Sequence, residues 1–284
     1  MNIIQVDHEK CTKCGICVEL CPTRTLHMGE NGPEEVKPEG CIACGHCVAI
    51  CPNTAIDNAK TPLSDQVVLE NFPVIDSDTA YHFMRSRRSI RCYKSESVPR
   101  KQLLKLADIA RFAPTASNKQ GISYIIIENR KTLEKATAVV IQWMEENQSR
   151  WWSFPLHIKA YREKGIDGIF RSAPNLIIAT APKDFKNGRE NTILSLAYLE
   201  LYANTLGIGS AWAGLFEMCA FSNYVPLLDL LKIPETKSIT GAVMIGYPKY
   251  HFERLVDRNP IDVIWLSDDG RSDKLNKDFD NISR

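Results

Sequence analysis

The sequence predicts an α+β protein with two domains, a small cysteine-rich domain followed by a larger domain with a central sheet and helical layers. Two observations predict this organisation. Eight of the ten cysteines fall between residues 11 and 51, and from Asp78 onward apolar segments with helix and strand periodicity alternate. A chain of 284 residues leaves most of its length beyond the cysteines, which is enough for a second core. We place the domains at 1–60 and 78–284, joined by a connector at 61–77.

The cysteines form two copies of one pattern. Each copy has three cysteines spaced as C-x2-C-x2-C, followed after three further residues by a Cys-Pro pair. The copies are Cys11, Cys14, Cys17, Cys21-Pro22 and Cys41, Cys44, Cys47, Cys51-Pro52. Such a run supplies three thiolates to one [4Fe–4S] cluster, while its fourth cysteine binds the other cluster. We therefore predict one cluster on Cys11, Cys14, Cys17 and Cys51, and a second on Cys41, Cys44, Cys47 and Cys21.

Structural zinc sites and disulfides are the two alternatives to iron–sulfur clusters. Structural zinc sites also use paired C-x2-C spacings, but here a third cysteine follows two residues later in both copies. Disulfides would need an oxidising compartment, and no signal-peptide pattern opens the chain. Residues 1–60 resemble a bacterial two-[4Fe–4S] ferredoxin.

The connector 61–77 is rich in Pro, Ser and Asp and is expected to be extended. Its apolar residues predict that it packs along a surface; they are Val67, Val68, Leu69 and Phe72. In the large domain, the pattern predicts a helix from near Pro99 to before Pro114. Further helices are expected over 131–146 and 192–206, and strands over 122–127, 175–180 and 239–245.

Overall composition excludes several classes of function. A net charge of +1 and a pI near 7.5 give no basic field for nucleic acid. No apolar run reaches the roughly 20 residues that span a bilayer, so we expect a soluble cytoplasmic protein with no membrane partner. We expect the two remaining cysteines, Cys92 and Cys219, to be small buried residues.

Three stretches of the large domain carry polar groups that a simple core does not need. Arg87-Arg88-Ser89-Ile90-Arg91 offers guanidinium forks suited to a phosphate, although a solvated basic segment looks the same. The loop 113–121 contains amides that could read a flavin ring, but its residues are also turn formers. The third stretch, 241–248, is followed by Arg254 and Arg258 and could close a phosphate site.

Taken in order, five motifs of residues 78–264 resemble the nitroreductase family of FMN-dependent oxidoreductases. The motifs are Arg-Arg-Ser-x-Arg (87–91), Ala-Pro-Thr-Ala-Ser-Asn-x-Gln (113–120), Ser-Ala-Pro-Asn-Leu-Ile-Ile (172–178), Leu-Gly-Ile-Gly-Ser-Ala-Trp (206–212) and Ile-Gly-Tyr-Pro (245–248). The whole chain is similar to ferredoxin-fused nitroreductases.

The resemblance implies roles for matching residues. Arg87, Arg88 and Ser89 would bind the FMN phosphate and ribityl chain, and Arg91 would lie at the flavin N1 and O2 edge. Asn118 would bind the pyrimidine side, and Arg258, with Arg254 less securely matched, would contact the phosphate. Ala213 and Gly214 would pass near flavin N5, usually from a dimer partner. No catalytic proton donor stands out.

The sequence departs from the family at two places. The loop after Asn118 reads Gln120-Gly121-Ile122 where the family often has Gln-Pro-Trp. A group of aromatic residues lies where the family has variable helices over the substrate pocket, and it could form a stacking lid, a core or an interface. The group comprises Trp143, Trp151, Trp152 and Phe154.

The resemblance implies a homodimeric enzyme that reduces a planar, electron-poor acceptor such as a nitroaromatic or a quinone. Electrons would reach FMN through the two clusters, from an external ferredoxin or from NAD(P)H. Two alternatives stay open: an electron-transfer adaptor without small-molecule turnover, or another flavin reaction such as reductive dehalogenation, enoyl reduction or flavin destruction.

Overall fold

The structure is a computed structural model that describes residues 2–266 and 272–274. The chain forms two compact units, Met1–Tyr250 and His251–Arg284. The first unit contains both the cysteine-rich part and the sheet-and-helix part predicted above. In the described residues, no helix is both long and apolar enough to cross a membrane.

The cysteine-rich part consists of two short antiparallel strand pairs and two one-turn helices. Strand β1 (Ile4–Val6) pairs with β4 (Ile56–Asn58), and β2 (Leu26–Gly29) pairs with β3 (Gly32–Glu35). Helices α1 (Ile16–Glu19) and α2 (His46–Ala49) each follow a glycine with positive φ, which is 80° at Gly15 and 71° at Gly45. A side chain at that φ is strained, which accounts for glycine at both positions.

The start of the connector is fixed to the cysteine-rich part, whereas the residues predicted to pack are exposed. A 3₁₀ turn at Leu63–Asp65 is fixed to the cysteine-rich part, because the Leu63 amide donates a 2.7 Å hydrogen bond to Asp57 Oδ1. The second half is exposed in the single chain, with Val67 at 92% and Phe72 at 77% of full exposure. The prediction that Val67, Val68, Leu69 and Phe72 pack on a surface is therefore wrong for this chain alone.

The large domain begins with α3 (Ser77–Ser86), which is capped by the Asp76 carboxylate accepting the Thr79 amide at 2.9 Å. The elements that follow are α4 (Arg100–Ala110), β5 (Ser123–Ile127), α5 (Arg130–Glu146), α6 (Phe154–Lys164), β6 (Asn175–Pro182), α7 (Gly188–Thr205), β7 (Gly209–Trp212), α8 (Gly214–Phe221), α9 (Val225–Leu230) and β8 (Lys237–Gly246).

The central sheet has four strands in the order β5-β6-β8-β7, and every neighbouring pair is antiparallel. The two inner strands are almost wholly buried, because helices cover both faces of the sheet. One face packs against α5, α8 and α9, and the other against α4 and α7. This helix–sheet–helix arrangement confirms the predicted fold class.

The six predicted elements of this domain are present, with ends shifted by a few residues. Helix α7 begins at Gly188, four residues before the predicted start, and β5 is an edge strand that is mostly half-buried rather than a buried one. Cys219 is buried as expected, whereas Cys92 is exposed, so the expectation for Cys92 is wrong. Cys92 stands beside the backbone bridge Tyr93–Pro248 at the surface.

The second unit, described here by itself, contains β9 (Ile264–Leu266) paired antiparallel with β10 (Ser272–Lys274). Arg254 and Arg258 belong to this unit. Both are exposed, and the Arg258 amide donates to Asp257 Oδ1 at 2.9 Å.

Candidate functional site

Two cavities in the cysteine-rich part are lined by the two predicted ligand sets. One cavity is lined by Cys11, Cys14, Cys17 and Cys51. The other is lined by Cys41, Cys44, Cys47 and Cys21. Each cavity therefore receives three thiols from its own loop and the fourth from the Cys-Pro segment of the other copy. This crossed arrangement is the one that the spacing predicts for two cubane clusters.

The thiols lie around these cavities instead of meeting at one point. Among the residues that the structure describes, no three His, Cys, Asp or Glu side chains converge closely enough to bind a single metal ion. A zinc ion needs its ligands about 2.0–2.3 Å from a common centre, whereas a cluster of several iron atoms needs a wider cage. Each cavity is lined by four thiols, which is the number of protein ligands that a [4Fe–4S] cluster takes.

Hydrogen bonds tune several of the ligand thiols. Burial alone raises the pKa of Cys21, but hydrogen bonds from Thr25 and Thr23 outweigh it and lower that pKa to about 7. The Ala55 amide donates to Cys51 Sγ at 3.2 Å. Burial raises the pKa of Cys47, against a weak hydrogen bond from the Asn58 amide. Such donors stabilise thiolate, which is the form that binds iron.

The basic segment 87–91 lies along the edge strand β7. Ser89 forms a parallel bridge with Ser210, and the Ile90 amide donates to the Ser210 carbonyl at 2.9 Å. A Cβ at Gly209 would come within 2.6 Å of the Ile90 side chain, so this glycine permits the close approach. The segment therefore extends the sheet beyond β7, with Arg91 exposed to solvent.

A buried carboxylate joins this segment to helix α7. Glu200 is only 5% exposed and accepts hydrogen bonds from Ser210 Oγ at 2.9 Å and from Trp212 Nε1 at 3.0 Å. Its Oε1 also pairs with Arg87 Nη1 at 3.4 Å. Because a buried charge needs such partners, Glu200 fixes the start of the basic segment against β7.

The loop 115–120 is held in an unusual backbone conformation. Ser117, Asn118 and Gln120 all have positive φ, between 51° and 56°, which costs free energy in residues with a Cβ. Two side chains hold the conformation: Thr115 Oγ1 accepts the Gln120 amide at 3.0 Å, and Asn191 Oδ1, on α7, accepts the Ala116 amide at 3.2 Å.

Asn118, predicted to bind the flavin pyrimidine, lies against the cysteine-rich part. Its Nδ2 donates to the Ile42 carbonyl at 3.1 Å and to the Ala43 carbonyl at 2.7 Å. Both carbonyls belong to the loop between Cys41 and Cys44. The Asn118 side chain thus joins a predicted cluster loop to a predicted flavin loop, and its role toward flavin stays a prediction.

The departure from Gln-Pro-Trp has a local reason in the packing of Phe185. A Cβ at Gly121 would come within 3.2 Å of the Phe185 ring, and Lys119 Nζ lies 5.9 Å from the centre of that ring. Phe185 thus occupies space beside Gly121 that a bulkier residue at this position would need. The glycine and this phenylalanine belong to one packing arrangement.

Ala213 lies between β7 and α8, and Gly214 is the first residue of α8. Ala213 is fully buried and its amide donates to the Ala242 carbonyl at 2.9 Å, whereas Gly214 is exposed with open space around its Cα. Behind them, Glu217 accepts the Ala242 amide at 2.8 Å and both terminal nitrogens of Arg189. The backbone at Gly214 is therefore accessible but firmly anchored.

The third polar stretch, 241–248, contributes mainly to the core. Its residues up to Gly246 form the buried end of β8, where a Cβ at Gly241 would meet Thr192 at 2.7 Å and Leu196 at 3.0 Å. The two glycines of this stretch thus serve packing. Arg254 and Arg258, predicted to contact phosphate, belong to the second compact unit.

The aromatic group divides into two pairs. Trp143 and Phe154 are buried and pack edge to face with ring centres 5.5 Å apart. Trp151 and Trp152 are 48% and 78% exposed. The core alternative therefore holds for Trp143 and Phe154, while only the exposed pair is available to a substrate or a partner.

Sequence reasoning missed the residues that position these loops, namely Asn191, Glu200, Arg189 and Glu217. For Glu200 and Glu217, the sequence signal that could have indicated a role is a carboxylate on an otherwise apolar face of a helix, α7 and α8 respectively. Their partners are distant in sequence and could not be read from spacing.

The sequence of the large domain matches the model of the protein family described as "Nitroreductase family" over residues 84–247. The chain belongs to the nitroreductase family. Residues 3–52 match a second family model, described as a 4Fe-4S dicluster domain. The two matches confirm the prediction of a nitroreductase-family oxidoreductase that carries a two-cluster ferredoxin-like domain.

Known proteins resemble the nitroreductase part of the chain. A protein of Archaeoglobus fulgidus, provisionally named an NADH dehydrogenase/NAD(P)H nitroreductase, is 26% identical over 58% of this chain and 82% of its own length. An iodotyrosine deiodinase of Thermotoga neapolitana is 22% identical over 46% of this chain and 70% of its own. A Bacteroides fragilis nitroreductase solved with bound FMN aligns with a TM-score of 0.53 at 20% identity, over 67% of this chain and all of that one. This last likeness confirms the fold.

Proposed function

We propose that this nitroreductase-family protein is an FMN-dependent oxidoreductase that reduces a planar, electron-poor acceptor of the nitroaromatic or quinone type. Its electrons arrive one at a time through two [4Fe–4S] clusters. The observation that carries this proposal is the pair of hydrogen bonds from Asn118 to Ile42 and Ala43, because it joins a cluster loop to a flavin loop within one compact unit.

The proposed cofactor sites use residues described above. The two cysteine sets hold the clusters. The FMN site in the first compact unit comprises Arg87, Arg88, Ser89, Arg91, Asn118, Ala213 and Gly214. Arg254 and Arg258, which the resemblance also assigns to the phosphate, belong to the second unit. Support for this assignment comes from the pairing of Ser89 with Ser210, which brings the basic segment to the strand that leads into Ala213 and Gly214. We propose the domain limits 1–60 and 78–284, and a homodimer that covers the exposed apolar connector.

The donor set near β7 suits an anionic cofactor. Guanidinium groups bind phosphate oxygens through paired charge-assisted hydrogen bonds, and Arg91 would place positive charge at the N1 and O2 edge. The exposed backbone at the N-terminus of α8 adds a favourable dipole for negative charge. When bound, FMN accepts single electrons from a cluster and delivers two together to an acceptor.

The overall reaction balances with solvent protons. Two one-electron donors of the ferredoxin class are oxidised, and two electrons with two protons convert a nitro group to a nitroso group and water, or a quinone to its hydroquinone. We take both protons from solvent.

An anaerobic titration tests the proposal. The purified protein is analysed for iron, sulfide and FMN per chain, reduced with dithionite, and mixed with a nitroaromatic or quinone acceptor. We expect flavin and cluster absorbance to bleach with dithionite and to return with stoichiometric acceptor reduction. A protein with both clusters but without flavin would refute the proposal. Flavin that recovers no faster than free FMN would favour the adaptor alternative.

Reductive dehalogenation is the second candidate, because the matched relative from Thermotoga neapolitana carries a deiodinase name. The two functions share the same reduced site and differ in the acceptor. Incubating the reduced protein with 3-iodotyrosine and measuring released iodide separates them. Release of iodide faster than nitro-group reduction would favour this candidate.

A further inference from the structure

The two cluster loops have nearly the same backbone conformation. Any difference in their roles must therefore come from the residues that contact them. Here the first cluster loop is residues 11–17 and the second cluster loop is residues 41–47. Each has a residue with positive φ at the third position, 57° at Lys13 and 53° at Ala43, followed by a left-handed glycine and a one-turn helix. Neither loop is distinguished from the other by its own conformation.

Contacts to the first cluster loop come from within the cysteine-rich part. Thr12 Oγ1 accepts a 3.2 Å hydrogen bond from Asn53 Nδ2, and Lys13 Nζ donates to the Glu30 carbonyl at 2.6 Å. These positions, the second and third of the loop, correspond to Ile42 and Ala43. The hydrogen bonds at Thr12 and Lys13 therefore join the first cluster loop to other residues of the cysteine-rich part.

The second cluster loop has contacts within the cysteine-rich part, from Asn58 and Lys60, and is also held from outside it. The carbonyls of Ile42 and Ala43 both accept from Asn118 Nδ2, on the 115–120 loop of the nitroreductase part. The connector closes the other side, since a Cβ at Gly45 would lie 3.4 Å from Thr61 Oγ1 and 3.5 Å from Gln66 Nε2. Within the part of the chain that the structure describes, the second cluster loop thus contacts both the connector and the flavin loop.

Asn118 is able to fix that position because its own loop is anchored. The Asn118 amide donates to the Thr115 carbonyl at 3.0 Å, and the neighbouring Ala116 amide donates to Asn191 on α7. Helix α7 also carries Glu200, which holds Arg87. One helix thus supports both the loop that reaches the second cluster loop and the segment proposed to grip FMN.

We infer that Asn118 is a positioning residue that docks the second cluster loop on the flavin loop, and that the cluster on Cys41, Cys44, Cys47 and Cys21 is the one next to FMN. The cluster on Cys11, Cys14, Cys17 and Cys51 then receives electrons from the external donor. Each turnover passes two electrons singly along this order, from two reduced one-electron donors of the ferredoxin class, which become oxidised, to one acceptor, which takes up the two electrons with two protons from solvent. The inference rests on the proposed function.

The test compares two asparagines whose side chains donate to corresponding positions of the two loops, Asn53 to Thr12 and Asn118 to Ile42. Asn118→Asp keeps the size of the side chain but removes the donor to Ile42 and Ala43. Asn53→Asp removes the matched donor to Thr12 on the first cluster loop. Asn118→Ala provides a second variant if the added charge of Asn118→Asp prevents folding.

Amide hydrogen exchange is the first readout, because it does not depend on activity. In Asn118→Asp we expect exchange in the peptide 41–47 to accelerate by about three- to tenfold, as the loss of one or two hydrogen bonds predicts, with 11–17 unchanged. Asn53→Asp should show the reverse pattern. Unchanged exchange in 41–47 for both Asn118 variants would overturn the inference.

The second readout follows electrons from cluster to flavin. Fully reduced protein is mixed with a nitroaromatic, and the lag between the return of flavin absorbance and that of cluster absorbance is measured. We expect this lag to lengthen about tenfold in Asn118→Asp, because the conformation in which the second cluster loop is docked on the flavin loop is less populated. The lag should stay unchanged in Asn53→Asp. A longer lag in Asn53→Asp alone would reverse the cluster order and overturn the inference.

FMN content separates failure of the inference from failure of the proposed function. Loss of FMN from Asn118→Asp with normal exchange in 41–47 would make Asn118 a flavin ligand only, which overturns the inference but leaves the function standing. A wild-type protein that binds both clusters but no FMN would overturn both.

Discussion

Arg87 and Glu200 form an ion pair at 3.4 Å. The pair joins the basic segment 87–91, which lies along β7, to the middle of α7. The Glu200 side chain is 6% exposed and that of Arg87 is 27% exposed, so the pair lies at the inner margin of the proposed phosphate site. The carboxylate also holds Ser210 and Trp212, so one side chain connects three elements.

Glu200→Gln should loosen that junction. The amide keeps the size of the side chain but removes the charge, and we expect the free energy of unfolding to fall by about 1–3 kcal/mol, because hydrogen bonds to a charged group are lost. Arg87 would lose its fixed orientation, so FMN should also dissociate more readily. Chemical denaturation and FMN release measure the two effects. Glu190→Gln, an exposed change on the same helix, is the control, and equal results for both variants would contradict this role.

Arg189 anchors the segment behind Gly214 in a way that lysine cannot reproduce. Its guanidinium pairs with both oxygens of Glu217 and lies 5.1 Å from the Trp212 ring centre and 4.9 Å from that of Phe221. We expect Arg189→Lys to lower stability by about 1–2 kcal/mol, because the paired geometry and the ring contacts are lost.

The matched control is Arg162→Lys, since Arg162 makes an equally paired but more exposed contact with Glu145. Surface ion pairs contribute little, so this change should cost less than about 1 kcal/mol. Equal destabilisation of the two variants in urea denaturation would show that the burial of the Glu217 carboxylate, which is 8% exposed, does not matter.

The crossed ligand sets predict which loop loses its cluster when the cysteine of a Cys-Pro pair is replaced. Cys21→Ser should remove the cluster bound by the second cluster loop, and Cys51→Ser that of the first, each with the loss of about half the iron. Iron analysis measures the loss, and hydrogen exchange in 11–17 and 41–47 identifies the loop. Cys92→Ser, an exposed change, should leave iron content unchanged. Increased exchange in the loop of the same copy would refute the crossed arrangement.

The divided aromatic group predicts opposite effects of two similar truncations. Phe154 is fully buried, so Phe154→Ala should cost about 3–5 kcal/mol of stability through the cavity it leaves. Trp152 is 78% exposed, and Trp152→Ala should stay within about 0.5 kcal/mol. Thermal unfolding of both variants checks the pair. A large loss of stability in Trp152→Ala would show that this side chain is covered in the assembled protein.

The parts of the fold that were predictable are those with strong local patterns. The helical periodicity of its apolar residues predicts α5, and a continuous apolar run predicts β6. In the structure both elements lie within a few residues of the predicted bounds. Strand β7 was recognised only as a family motif, because four residues containing glycine carry no strand period. The edge position of β5 depends on sheet order, which no local pattern encodes.

The site shows the same division. The cysteines were predictable because thiolate geometry around a cluster restricts their spacing. The role of Glu200 was not, because its partners Arg87 and Trp212 come together only when α7 packs beside β7. The contact of Asn118 with Ala43 joins residues separated by 75 positions, and neither residue type signals it.

The anchoring of Leu63 to Asp57 has a consequence for how the protein behaves at low abundance. Since the connector leaves the cysteine-rich part from a fixed point, the proposed cluster donor and flavin acceptor share one molecule and meet at a high effective concentration. Under the proposed function, dilution that leaves the homodimer intact slows the encounter with the outside donor and not the internal transfer from cluster to flavin.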